Sequence, residues 1–135
     1  MKVLVLAPEP VDAAALRGVL GDEVEGAEVR VVSQARNSSG LAFWVSDADD
    51  AIEEAKESAG RTVESLKDAG VQAEGDTGEA EPLVAIADAL ATFEADRVVV
   101  FVRADDEEKY REDDVVGEAE RRFGRPVVQH VLSGG

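Results

Sequence analysis

The chain has one histidine, His130, inside the apolar run Val127-Val-Gln-His-Val-Leu132. A histidine acting as a base needs a nucleophile within hydrogen-bond reach. Its neighbours Gln129 and Val131 offer none, so His130 reads as structural. Cysteine is absent, which removes thiolate catalysis, disulfides and cysteine-bound zinc together. With a single histidine, a histidine-only metal site within one chain is excluded too. Carboxylates are so common, 30 against 14 Lys and Arg, that no pair of them is informative. The acidic run 105–114 lacks calcium-loop spacing and its glycine. It reads as a solvated face, with a weak Mg²⁺ or Ca²⁺ site as the alternative. No Gly-x-Gly-x-x-Gly, Gly-x4-Gly-Lys-Ser/Thr or Gly-x-Ser-x-Gly occurs.

Polar side chains that could hold a small ligand are easier to find. Arg36, Asn37 and Ser38 form a donor-rich stretch in a connecting segment. Asn37-Ser-Ser39 also fits a glycosylation acceptor, but no secretory leader is expected, so the match reads as chance. The apolar part of the N-terminus is shorter than the roughly 7–15 residues a leader needs. Phe43 and Trp44 are the only close aromatic pair and read as packing.

The net charge of −16 disfavours contact with phosphates, so neither a nucleic-acid nor a membrane-surface partner is expected. No stretch approaches the roughly 20 apolar residues of a membrane span. With 135 residues, 44% of them hydrophobic, the chain suits a single domain with one core, placed in the cytoplasm.

The elements that must position these residues follow from periodicity. Lys2–Ala7 is a β-branched run ended by prolines, a buried strand. Pro10 opens a helix with Ala13, Leu16, Val19 and Leu20 at helical spacing, stopped by Gly21 in a left-handed cap. A second strand spans 27–33. Ser46 reads as the N-cap of a helix carrying Ile52, Ala55, Ala59, Val63 and Leu66, with Gly70 as its cap. A weaker strand, 71–76, is broken by Gly75. Pro82 starts another helix. Arg97–Arg103 is apolar throughout its interior, as a strand buried on both faces should be. A loop over 104–114, a helix from Val115 to Phe123 and a strand from Val127 to Leu132 complete the chain. Strict βαβαβαβαβ alternation predicts a parallel sheet with helices on both faces.

The second half resembles the universal stress protein family. The residues that carry this are Glu74-Gly-Asp76, Ile86-Ala87 in the next helix, Ala95-Asp-Arg-Val-Val-Val100, and Gly124-Arg-Pro-Val-Val128. The resemblance implies a three-layer α/β/α sandwich, Rossmann-like, with five parallel strands in the order 3-2-1-4-5. In an open sheet of that order the ligand crevice lies where the connections reverse direction, here near Ala7, Pro8 and Asp12 and near Arg103.

ATP-binding members of the family carry Gly-x2-Gly-x9-Gly-Ser/Thr after the fourth strand, where backbone N–H groups meet phosphate oxygens. Alignment on Ala95-Asp96 puts those positions at Phe101, Ala104, Asp114 and Val115, and none matches. The acids of 105–114 add repulsion where donors are needed. The expected function is therefore a non-enzymatic universal-stress-like protein, with no cofactor, acting through dimerisation and holding a small-molecule ligand. The alternative is an adenine-nucleotide-binding or hydrolysing protein of the same fold. In the implied order Val127, Val128, Gln129, His130, Val131 and Leu132 form an edge strand without Lys or internal Pro, suited to pairing with a second copy.

Overall fold

The computed structural model describes residues 1–34, 47–79, 81–104, 107–112 and 114–132. Five strands, β1 (Lys2–Ala7), β2 (Glu28–Gln34), β3 (Gln72–Gly78), β4 (Arg97–Arg103) and β5 (Val127–Leu132), form one sheet in the order β3-β2-β1-β4-β5. Every pairing is parallel. At the centre Val5 stands between Val31 and Val99. The helices are α1 (Ala13–Leu20), α2 (Asp47–Asp68), α3 (Pro82–Leu90), α4 (Glu107–Glu112) and α5 (Val115–Phe123). This is the α/β/α arrangement and strand order that the alternation and the resemblance lead one to expect.

The pleat sends alternate side chains to opposite faces, and each face has its own core. Val3, Val5, Val31 and Phe101 point toward α1 and α2, meeting Leu16, Ala59 and Leu66. Leu4, Leu6, Val98 and Val100 point the other way, toward Ile86 of α3 and Ala119 of α5. Both faces of β1 and β4 are therefore buried, which explains their unbroken apolar sequences.

Four local expectations are corrected. Helix α1 starts at Ala13 rather than Pro10, because Asp12 takes the N-cap and its Oδ1 accepts the Ala15 N–H at 2.9 Å. Gly21 ends the helix at positive φ, but its ψ of −141° is not left-handed helical, and a short 3-10 helix, Gly21–Gly26, follows before β2. Gly75 does not break β3, which runs on to Gly78. A β-carbon at Gly75 would stand 3.2 Å from both Ala59 Cβ and Val63 Cγ2, so the glycine is what lets α2 lie close on the sheet. The segment 104–114 is not loop throughout. It contains α4, steadied by the Glu107–Arg111 pair at 2.6 Å and by Tyr110 packed against the core. The N-cap expected at Ser46 and the pair Phe43 and Trp44 lie outside the described residues.

Candidate ligand crevice

The crevice arises from unequal strand lengths. The β1–β4 ladder stops at Leu6–Val100, while β4 runs on to Arg103 and β1 stays paired with β2 through Ala7–Ser33. The chain leaves β1 through Pro8-Glu-Pro10, so the two central strands part at their carboxyl ends. This is the topological switch point at which open α/β sheets bind ligands.

The expected residues meet there unevenly. Ala7 is fully buried and Pro8 half-buried. Arg103 reaches across the gap, its Nε donating to Glu9 Oε2 at 2.9 Å. Glu9 was not among the expected site residues, although its place between two prolines, which favour extended backbone, marks it as a lip residue. Asp12 is spent as the α1 cap. Arg36, Asn37 and Ser38 lie outside the described residues.

Helix α2 contributes what the residue pattern did not disclose. Thr62 Oγ1 accepts the Val11 N–H at 3.0 Å, and Ser65 Oγ accepts the Ala13 N–H at 3.1 Å. With the Asp12 cap, these bonds occupy donors that the start of α1 would otherwise offer to an anion. Ser58, one turn before Thr62, belongs to the same stripe of hydroxyls spaced 58, 62, 65. It is buried, as is Ser33 at the end of β2, and neither Oγ has a hydrogen-bond partner. The stripe's spacing was the available signal.

On the β4 side stand the four positions aligned with the phosphate loop. Phe101 is fully buried in β4, with His130 edge-on to it at 5.6 Å between centroids. Ala104 lies just past β4, and Val115 is buried. Asp114 has φ 49° and ψ 49°, the only non-glycine residue at positive φ among those described. The left-handed turn that glycine favours is thus present, but an aspartate occupies it. Its carboxylate folds over the first turn of α5: a β-carbon built at Gly117 would lie only 2.6 Å from Asp114 Oδ1. The positive end of α5 already faces a negative charge, and Arg121 holds that charge at 3.2 Å.

At the far side of the sheet, β5 is an edge strand as expected. Val127 is buried against the core. Val128 and His130 are exposed, while Gln129, Val131 and Leu132 are partly buried. Among the described residues no three His, Asp or Glu side chains converge as a metal site requires, and no helix is long and apolar enough to cross a membrane.

No family model matches the chain, and no curated protein matches it. Its fold does match a solved structure, that of the universal stress protein from Archaeoglobus fulgidus, with a TM-score of 0.61 and 21% identity over 96% of this chain and 93% of that one. The chain therefore has the universal-stress-type fold: a five-stranded parallel sheet in the order 3-2-1-4-5, flanked by helices.

Proposed function

We propose that this is a non-enzymatic, universal-stress-like cytoplasmic protein that works as a homodimer and holds a small ligand in the crevice between β1 and β4. The observation that carries the reading is the state of β5. It is a sheet edge with no lysine, no internal proline and no bulge, and Val128 is 38% exposed on it. Such an edge invites antiparallel pairing with its own copy about a two-fold axis. The ligand is not a nucleoside triphosphate, because Asp114 places a carboxylate where a phosphate would need donors.

Sedimentation tests the assembly. Wild type at tens of micromolar should sediment at twice 14.3 kDa, and Val128→Lys should sediment as a monomer. A wild-type monomer would sink the dimer. Calorimetry with Mg-ATP tests the ligand class. No heat is expected, and a dissociation constant in the low micromolar range would support the nucleotide-binding alternative instead.

A further inference from the structure

The β3 edge of the sheet carries a second opening, two strands across from β1. A cavity of about 380 Å³ lies between α2 and β3, walled by Lys56, Gly60 and Val63 on the helix and by Gly75, Asp76 and Thr77 on the strand. Gly60 has open space where a side chain would stand. Ile52, one turn before Lys56 on α2, is 39% exposed. Thr77 donates its backbone N–H to the Asp76 carboxylate at 2.8 Å, so that N–H points away from β2. In a parallel ladder, backbone groups two residues apart point the same way. Gly75 and Ala73 therefore also turn N–H and C=O toward the free edge. By the same alternation, Ala73, Gly75 and Thr77 share the face covered by α2, while Glu74 and Asp76 share the other.

We propose that this edge accepts an extended peptide of a partner protein as a sixth strand, with apolar and basic residues in alternation. Main-chain hydrogen bonds to β3 supply the pairing, and side-chain pockets at two-residue steps supply the selectivity. The apolar residues enter the cavity between Gly60 and Gly75, beside Val63. The basic residues fall across from Asp76 and from Glu74, which already holds Arg30 of β2 at 3.3 Å but keeps 78% of its side chain exposed and so can meet a second cation. A second copy of this chain is the wrong occupant: its own Glu74 and Asp76 would face the same acids, on a body already at −16.

Fluorescence anisotropy tests this with a labelled, acetylated and amidated nine-residue peptide alternating valine and lysine, at about 0.15 M salt. A peptide alternating serine and lysine is the charge-matched control. The valine peptide should bind saturably, and the serine peptide at least about tenfold more weakly, a difference of about 1.4 kcal/mol. Gly60→Leu, which fills open space on a helix, and Asp76→Lys should each weaken the valine peptide by a similar factor while the thermal midpoint is retained. Equal binding of the two peptides, no saturable binding of the valine peptide, or unchanged affinity in both variants would overturn the proposal. Because β5 lies at the other edge, these results are independent of the dimer test.

Discussion

Glu9 and Arg103, 94 residues apart in the chain, meet at 2.9 Å across the carboxyl end of the sheet. Their pairing closes the gap between the loop after β1 and the end of β4, and occupies the Arg103 guanidinium. Both side chains keep more than a third of their surface exposed, so solvent screens the attraction. A double-mutant cycle with Glu9→Gln and Arg103→Gln should give a coupling of no more than about 1 kcal/mol by chemical denaturation. A much larger value would mean that the pair is a structural clamp.

The hydroxyls of α2 should separate cleanly on mutation. Thr62→Val removes the acceptor of the buried Val11 N–H and should cost about 1–3 kcal/mol. Ser58→Ala deletes a buried hydroxyl that has no partner, so its denaturation midpoint should equal or exceed that of wild type. Equal losses in the two variants would show that Ser58 does carry a bond.

Glycines also divide into two kinds. A β-carbon at Gly78 would come within 2.7 Å of Val32 Cγ1 and 3.3 Å of Ala85 Cβ, both buried between β2 and α3. Gly78→Ala should therefore destabilise by about 1–3 kcal/mol through overpacking. Gly18, exposed within α1, has nothing within 4 Å of the same carbon. Gly18→Ala should stabilise by about 0.5–1 kcal/mol. Thermal melts of the two variants should move in opposite directions.

Acid should act on α5. The hydrogen bond from Arg121 holds the Glu118 carboxyl below the ordinary glutamate range, and the positive charges of Arg121 and Arg122 push the same way. The folded state thus binds this proton less readily than the unfolded chain. The contribution is present above the unfolded value of about 4.3 and is lost as pH falls through the lower folded value. Glu118→Gln should be less stable than wild type at neutral pH, and the gap between their midpoints should narrow as pH falls below the ordinary glutamate range. A gap unchanged with pH would assign the difference to something other than this ionisation.

What could be read without coordinates was whatever neighbours in the chain encode. Arg97–Arg103 announces a strand buried on both faces, and the apolar Leu83, Ile86 and Leu90 after Pro82 announce the packed side of a helix, because periodicity is local. Gly75 misled for the same reason. Its role is set by Ala59 and Val63 across the interface, and a glycine alone does not say whether it ends a strand or admits a helix. In α4, the burial of Tyr110 stabilises a segment whose acidity suggested only solvent. Strand order told where β1 and β4 part, but the pairings around that point are ones no spacing reveals: Glu9 with Arg103, Val11 with Thr62, and Asp114 lying over Gly117.

The position of β1 has a consequence for synthesis. It is the first strand of this sheet to be made, yet one of its two neighbours, β4, begins only at Arg97. Until then β1–β3 can assemble with α1 and α2, leaving the side of β1 that β4 will occupy as an unpaired apolar edge, Val3 to Leu6. Leu4 and Leu6 meanwhile await the Ile86 and Val98 side of the core. An open strand edge of this kind is the part of a nascent chain most prone to pair wrongly. The vulnerable interval in the life of this protein is therefore the time a ribosome takes to travel from β3 to the end of β4.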